Sequence, residues 1–180
     1  MRRFVFSLHP NGTTLLTAGL DRTMNLWDVR RFQADSKGSK VLASSTSRNS
    51  INSAFFSPSG KYIVSTTMAQ TLDIFMDAHV KTNIISNPTH RIRHDNLTGC
   101  WLSTFMAKWH PTNTSEEIFV VGSMEHPRRM EVFDAVKGEL IHSIQGDSLS
   151  SVMSRCCIHP SLDRLILLGG NSSGRAIVAK

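Results

Sequence analysis

Residues 4–28 decide the fold, with the sequence FVFSLHPNGTTLLTAGLDRTMNLWD. Apolar and β-branched residues form three short runs in it, at positions 5–8, 14–18 and 24–27, and polar turns separate them. Runs of this length that are bounded by Pro, Asn, Gly and Asp are typical of β-strands joined in hairpins. The stretch therefore predicts an antiparallel meander of three strands, to which residues 41–44 add a fourth.

The same sequence pattern recurs in four copies along the chain. In each copy a strand ends in His-Pro or Ser-Pro, a polar turn follows, and two further apolar runs complete the pattern. These prolines are 48, 53 and 49 residues apart, at Pro10, Pro58, Pro111 and Pro160. The intervals slightly exceed the roughly 40–45 residues of a WD40 repeat, so we expect the excess in loops.

Four such copies predict an all-β chain that forms about four blades of a WD40 β-propeller. The first copy begins directly on its inner strand and the fourth lacks an outer strand, so we expect the C-terminal part of a larger ring. Blades bury their faces against one another, and an open ring would expose apolar flanks that favour association. The predicted domain is residues 1–180, with repeats at about 4–44, 51–95, 105–145 and 152–180.

The composition is that of a globular domain with a basic balance. The chain has 180 residues, 40% of them hydrophobic, and a formal net charge of +6. Its three cysteines, two of them adjacent, favour reduced thiols over a disulfide framework. Without a secretory signal or a bilayer-spanning stretch, we expect no membrane association and a cytosolic or nuclear location. The positive charge indicates a polyanionic partner, or it only keeps the protein soluble.

Two basic features fall in predicted connections between strands. The segment 90–94, HRIRH, is expected in a long loop before Phe105, and Arg128 and Arg129 in the turn before Met130. Turns on one rim of a propeller converge on one surface, so basic turns of successive blades can form a phosphate-binding patch. An equally good explanation is that these basic residues are solvent-exposed loop charges without a binding function. The candidate DNA-binding residues are Arg91, Arg93, His94, Lys108, Arg128 and Arg129.

Trp27-Asp28-Val29-Arg30 ends the third strand of the first copy. An indole between blades and an aspartate in a turn explain Trp27 and Asp21 by packing, but Arg30 lies past the strand, where packing needs no guanidinium. A Trp-Asp-x-Arg ending resembles the docking box of substrate receptors for cullin-4 ubiquitin ligases, whose arginine contacts the propeller adaptor of the ligase. The resemblance implies that Asp28 and Arg30 are partner-docking residues.

Two patterns that imitate catalytic or metal sites are better explained as structural. Residues 170–174, GNSSG, match the G-x-S-x-G nucleophile elbow, but a strand follows and no Asp, Glu or His remains, so we expect a turn between strands. His9, His110 and His159 recur beside proline in the repeat, and the other histidines show no ligand spacing with the cysteines. We therefore predict no enzyme activity, no metal, no cofactor and no small-molecule substrate.

A specific family resemblance covers essentially the whole chain. The motifs that carry it are GCWL at 99–102, WHP at 109–111, FVVGSM at 119–124, HPRR at 126–129 and GGNSSGR at 169–175. In this order they closely resemble the C-terminal half of the family of WD repeat-containing protein 76 and its fungal DNA-damage-binding counterpart. Cys100 stands where that family commonly has a basic residue before Trp101.

The small subunit of the UV-damaged-DNA-binding complex is more distantly similar. Its DNA-inserting hairpin matches residues 92–94, but its wedge is aromatic, whereas Ile92 stands here. An apolar wedge can still unstack bases, but we do not expect lesion-specific extrusion of a base.

The resemblance implies a nuclear, seven-bladed DNA-binding protein of the DNA-damage response that is linked to a cullin-4 ligase. The implied partners are double-stranded DNA, damaged or modified, and the propeller adaptor of that ligase, with the basic rim on the DNA backbone. The alternative function is a ubiquitin-ligase substrate receptor, or a general protein-interaction scaffold, without direct DNA binding.

Overall fold

The structure is a computed structural model that describes residues 4–31, 41–77, 83–84, 87–99, 102–161 and 164–180. Within these ranges the regular structure is β-strand, apart from one 3-10 turn at Val29–Arg31. The strands form four sheets that follow one another along the chain. This arrangement confirms the predicted all-β fold of successive blades.

The first two sheets are antiparallel meanders. The first contains β1 (Phe4–Leu8), β2 (Thr14–Gly19), β3 (Thr23–Asp28) and β4 (Val41–Thr46). The second begins with β5 (Ile51–Phe56), β6 (Tyr62–Thr67) and β7 (Thr71–Met76). The chain then crosses back to β4, where β8 (Asn83–Ile84) pairs in parallel, and returns to complete the second sheet with β9 (His90–Arg93).

The third and fourth sheets repeat this order. The third contains β10 (Lys108–Trp109), β11 (Ile118–Ser123), β12 (Arg129–Asp134) and β13 (Glu139–Gln145). The fourth contains β14 (Met153–Ile158), β15 (Leu167–Asn171) and β16 (Ala176–Ala179). The strand predicted at 105–109 is shorter than expected, because its regular pairing begins only at Lys108.

The segment 90–94 departs from the sequence prediction, because most of it is strand β9 rather than loop. It pairs antiparallel with β7, so that Ile92 lies opposite Leu72 and Arg91 lies opposite Asp73. Ile92 is half-buried and packs against the apolar core between the second and third blades. In this conformation Ile92 is a packing residue and is not available as a wedge between bases.

Three apolar cores hold the four blades face to face. Leu16 and Met24 of the first blade pack with Ile63 and Phe75 of the second. The second and third blades share a larger core that is rich in aromatic rings, and the third and fourth share one built on Val120, Met130, Met153 and Leu167. Full burial of one such side chain is worth about 1.5–3 kcal/mol. The sheets therefore stabilise one another as a stack, and no single sheet has a closed core of its own.

The histidines beside proline link neighbouring blades. The Nε2 atom of His9 lies 3.1 Å from the carbonyl oxygen of Gly60, and the Nε2 atom of His110 lies 3.1 Å from that of Ser161. Each contact joins the first turn of one blade to the first turn of the next. The prediction that His9 and His110 are structural is confirmed.

A strand glycine gives a direct test of the packing between the third and fourth blades. A Cβ at Gly122 would lie 1.7 Å from the backbone oxygen of Met153, whereas a Cβ at Gly170 would meet nothing within 4 Å. Gly122→Ala should therefore lower the free energy of unfolding by about 1–3 kcal/mol through overpacking. Gly170→Ala, the matched control in another strand, should stay within about 0.5 kcal/mol. Urea unfolding measures both, and equal stability of the two variants would contradict this packing.

Candidate nucleic-acid interface and docking surface

The antiparallel order of the strands gives the stack two opposite rims. The turn rim carries the turns between the second and third strands of the blades, at residues 20–22, 68–70, 124–128 and 172–175. The His-Pro rim carries the turns between the first and second strands, at residues 9–13, 57–61, 110–117 and 159–161. Because successive strands alternate in direction, the connections from one blade to the next return to the turn rim.

Four exposed arginines lie on the turn rim or at strand ends next to it, namely Arg22, Arg48, Arg93 and Arg175. Among the described residues, none of the four guanidinium groups has a carboxylate within ion-pair distance. Sequence reasoning selected Arg93 and missed the other three. The sequence did contain a signal for two of them, because Arg22 and Arg175 lie in equivalent turns of the first and fourth blades.

Arg91, also selected from the sequence, is paired within its own blade. Its Nε atom lies 2.9 Å from Asp73 Oδ1 and its Nη2 atom 3.0 Å from Asp73 Oδ2. The hydrogen bonds that Arg91 donates to this buried carboxylate raise the pKa of Arg91 above its ordinary value. The side chain is exposed, but its charge already has a partner.

Arg128 and Arg129 are directed toward the protein. The guanidinium of Arg129 donates from Nε to Glu131 Oε1 at 2.5 Å and pairs with Glu125 on its other side. Only 18% of the Arg129 side chain is exposed. Arg128 is half-buried and donates to the backbone oxygen of Met124. The turn before Met130 therefore presents less free positive charge than its sequence indicates.

His94 lies inside the stack, in contact with Asn96 of its own loop and with Glu131 of β12. Its Nδ1 atom is 2.5 Å from Asn96 Oδ1, and the amide nitrogen of Asn96 donates to the backbone oxygens of Thr67 and Thr71, which fixes the orientation of the amide. Its Nε2 atom lies 3.1 Å from Glu131 Oε2. Both ring nitrogens thus face side-chain oxygen atoms, one on Asn96 and one on Glu131.

This position gives His94 a structural role. Its side chain is 1% exposed, and its ring makes edge contacts with Phe105 and Phe133. A group buried in this way cannot touch DNA without a rearrangement of the core.

Lys108 lies on the inner strand of the third blade, away from the turn rim. Its Nζ atom stands 3.7 Å above the centre of the Phe55 ring. Partial burial and the charge of Arg155 lower the pKa of Lys108. The amine therefore makes a cation–π contact between neighbouring blades.

The Asp28–Arg30 pair lies on the His-Pro side of the first blade. Arg30 donates from Nε to Asp28 Oδ1 at 2.9 Å and from Nη2 to Asp28 Oδ2 at 2.8 Å. Asp28 is nearly buried, whereas 70% of the Arg30 side chain is exposed. The side-chain hydrogen bonds with Arg30 lower the pKa of Asp28, and the same bonds raise the pKa of Arg30. The carboxylate thus fixes an exposed guanidinium on the surface.

The turn predicted at residues 170–174 lies at residues 172–175, because residues 170 and 171 belong to β15. Asn171 Oδ1 accepts hydrogen bonds from the backbone nitrogens of Ser173 and Arg175, and β16 follows. Cys156 and Cys157 are free thiols, and burial raises the pKa of Cys156 to about 12. Cys100 and Trp101 lie outside the described residues.

Two further site types have no candidate in the part of the chain that the structure describes. No three His, Cys, Asp or Glu side chains there converge as metal ligands. No helix in the same ranges is long and apolar enough to cross a membrane.

Comparisons with known proteins agree with this architecture. Residues 2–28 match the family described as WD domain, G-beta repeat. The crystal structure of Saccharomyces cerevisiae Sqt1 superimposes with a TM-score of 0.67, over 97% of this chain and 44% of that chain, at 17% identity. The first blade is thus a WD40 repeat, and the sheets have the fold of a WD40 propeller.

Two curated relatives of this WD40 chain confirm the family resemblance of its motifs. It is 43% identical to WD repeat-containing protein 76 of Mus musculus, over 89% of this chain and 24% of the relative. It is 32% identical to the DNA damage-binding protein CMR1 of Chaetomium globosum, over 94% of this chain and 34% of the relative. The chain thus spans 24% and 34% of the length of these two relatives.

The pair formed by Glu131 and Arg129 inside this WD40 stack predicts a specific acid response. Burial by itself raises the pKa of Glu131, but the hydrogen bonds and charges of His94 and Arg129 outweigh it, so the net pKa lies below the ordinary 4.5. The pair therefore stabilises the fold above that value, and the contribution is lost as pH falls through the lower folded value. Glu131→Gln should cost roughly 3 kcal/mol at neutral pH, because it leaves the mostly buried guanidinium of Arg129 without its inner counter-ion.

The pH series separates this electrostatic effect from simple packing. The difference in unfolding free energy between wild type and Glu131→Gln should shrink at acid pH, where wild-type Glu131 becomes neutral. Glu125→Gln, at the exposed end of the same network, is the control and should stay within about 0.5 kcal/mol throughout. A Glu131→Gln deficit that does not change with pH would contradict the proposed ion pair.

Proposed function

We propose that this chain is part of a DNA-binding WD40 platform of the DNA-damage response, which holds the duplex backbone against the turn rim. The observation that carries the proposal is a set of exposed arginines that have no carboxylate partner among the described residues, Arg22, Arg48, Arg93 and Arg175. The name of the fungal relatives, DNA damage-binding protein, supports it. A nuclear location is part of the proposal.

The chemistry of these arginines suits phosphate. An exposed guanidinium can donate two parallel hydrogen bonds to phosphate oxygens. The carboxylates next to Arg22 and Arg93, on Asp21 and Asp95, accept hydrogen bonds within their own loops. They therefore have local partners, and the guanidinium groups are left for an outside anion.

Within this proposal, the residues selected from the sequence have unequal roles. Arg93 is a primary contact, whereas Arg91, Lys108, Arg128 and Arg129 are secondary contacts because each already has a protein partner. His94 supports the rim from within. Backbone contacts of this kind carry little sequence information, so we expect weak sequence preference and no extrusion of a damaged base.

Salt dependence tests the turn rim. Arg22→Ala and Arg93→Ala should each weaken binding to a labelled duplex and flatten the slope of log Kd against log salt by about 0.9 for each phosphate contact that is lost. Fluorescence anisotropy at several salt concentrations gives the slopes. Lys61→Ala removes an exposed cation on the His-Pro rim and should leave the slope unchanged. A double variant of Arg22 and Arg93 with the wild-type slope would remove the turn rim as the DNA site.

We also propose that Asp28 and Arg30 dock the propeller adaptor of a cullin-4 ligase. The observation that favours this second function is the exposed guanidinium held by a nearly buried carboxylate, on the rim opposite the proposed DNA surface. A fixed guanidinium loses less side-chain entropy on binding than a free one does. If DNA binding fails its test, docking alone would make the chain a ligase substrate receptor or an interaction scaffold.

The docking proposal predicts different results at two neighbouring arginines. Arg30→Ala and Arg30→Lys should both weaken co-precipitation of the adaptor, because lysine cannot keep the paired hydrogen bonds. The free energy of unfolding of both variants should stay within about 0.5 kcal/mol of wild type, since the side chain is exposed. Arg31→Ala is the matched control, because Arg31 is equally exposed and lies 3.8 Å from the same carboxylate. Normal adaptor binding by a folded Arg30→Ala protein would contradict the docking proposal.

A further inference from the structure

A cavity lies between the first and second blades, near their outer strands β4 and β9. Its volume is about 440 Å³, within the range of roughly 300–1,000 Å³ that is typical of small-molecule sites. Met24, Ile51 and Phe75 of the first core form its apolar part. Serine side chains of the first blade and the Asp73–Arg91 pair of the second blade contribute to its polar part. The cavity therefore offers both apolar and hydrogen-bonding surface to a ligand.

One small residue explains why the cavity lies at this junction. Three residues occupy the same place in successive blades, on the outer strand opposite the second residue of the third strand, namely Ser45, Ile92 and Ile144. Ile92 packs against the core between the second and third blades, and Ile144 packs against the core between the third and fourth. Serine is too short to fill the same space at the first junction. The cavity is thus where the other junctions have an isoleucine.

Arg91 supplies hydrogen-bond donors from the second blade. Because side chains alternate along β9 and Ile92 faces the third blade, Arg91 faces the first. Asp73 accepts from Nε and Nη2 of Arg91, which uses two of the five N–H groups of the guanidinium. The carboxylate therefore holds the guanidinium beside the cavity, and three N–H groups that Asp73 does not use can donate to a ligand.

Hydroxyl groups supply donors from the first blade. The Oγ atom of Ser47 accepts a hydrogen bond from the backbone nitrogen of Asn49 at 3.3 Å, so its own hydrogen is available to a ligand. The Ser45 hydroxyl lines the same cavity and can donate as well. Donors on both sides of the cavity therefore favour a ligand that is rich in acceptors.

The charge around the cavity favours an anion. Arg48 directly follows Ser47, and Arg93 lies on the same side of β9 as Arg91. In the described ranges neither Arg48 nor Arg93 has a carboxylate within ion-pair distance, whereas the charge of Asp73 is already balanced by Arg91. A phosphoryl group carries about −1.5 to −2 charges at neutral pH and three acceptor oxygens, and a guanidinium binds it through charge-assisted hydrogen bonds.

The shape of the cavity favours a phosphorylated side chain over a DNA backbone. The cavity is recessed between two sheets, so a single side chain can enter it, whereas the phosphates of a duplex lie on a convex surface. Its apolar part can contact the carbon atoms of such a side chain, which a free phosphate ion lacks.

We propose that this cavity binds a phosphoserine or phosphothreonine side chain of a partner protein. Arg91 and the hydroxyls of Ser45 and Ser47 donate to the phosphoryl oxygens, and the apolar lining packs against the carbon atoms of the bound residue. Arg48 and Arg93 attract the charged group. The proposal does not depend on DNA binding, and because Ser45 is not part of the proposed DNA surface, its variants test the cavity alone.

Titration calorimetry tests the cavity with phosphoserine whose amino and carboxyl groups are capped, and with capped serine as the unphosphorylated reference. Wild type should bind the phosphorylated probe and not the reference. Ser45→Ile should abolish binding, because isoleucine fills the space as it does at the other junctions. Ser45→Ala should weaken binding about tenfold, the effect of one hydrogen bond to a charged group. Ser143→Ala changes another half-buried serine on an outer strand and should leave the dissociation constant unchanged.

Each part of the proposal has a result that would overturn it. A wild type that does not bind capped phosphoserine, or Ser45→Ile that binds it equally well, would exclude the cavity as the site. Inorganic phosphate that binds as tightly as the capped probe would exclude recognition of a side chain. A labelled duplex that binds wild type but not Ser45→Ile would assign the cavity to DNA instead. Circular dichroism checks the fold of Ser45→Ile, and if that variant is unfolded, an unchanged dissociation constant for Ser45→Ala would overturn the proposal.

Discussion

The structure depends on one constraint, which is that a blade must bury both faces of its sheet. Strand β6 in the second blade is buried at all six positions, because the blade is covered on both sides. Strand β2, the equivalent strand of the first blade, alternates between buried and half-buried positions over its first four residues, because one face alone meets a neighbour. The same kind of strand thus shows two burial patterns according to how many blades flank it. Stacking, rather than the propensity of single strands, stabilises the fold.

Most of the fold could be predicted from local sequence, because turn residues bound nearly every strand. The His-Pro and Ser-Pro steps and the Gly and Asp turns mark the ends of the strands in each blade. Strand β9 was missed for a physical reason: its sequence, HRIR, has one apolar residue, and the register that buries Ile92 against the second core comes from pairing with β7. The pairing partner is distant in sequence, so a charged segment resembled a loop.

The candidate site was less predictable, because sequence identifies cations but not their counter-ions. Asp73 is 18 residues from Arg91, and no local pattern predicts that pair. Glu131 is two residues from Arg129 in one strand, so their shared face could have been predicted from the alternation of side chains. The arginines without a carboxylate partner among the described residues lie instead in turns such as that of Arg22. A single arginine between polar residues does not form a basic cluster in the sequence, so it was not selected. A charged residue is a candidate for binding only after its partners are known.

The opposite placement of the two proposed surfaces follows from strand direction. Arg22 precedes β3 at the turn rim, and Asp28 ends the same strand, with Arg30 just beyond it. A six-residue strand spans about 20 Å, which is close to the width of a DNA duplex. A duplex on one rim therefore leaves the guanidinium on the other rim accessible, and both partners can bind one blade at the same time. Since β3 is fixed between β2 and β4 and packed on the first core, it holds the two surfaces at a constant separation. In the proposed function, the blade is therefore a rigid spacer between a nucleic acid and a protein.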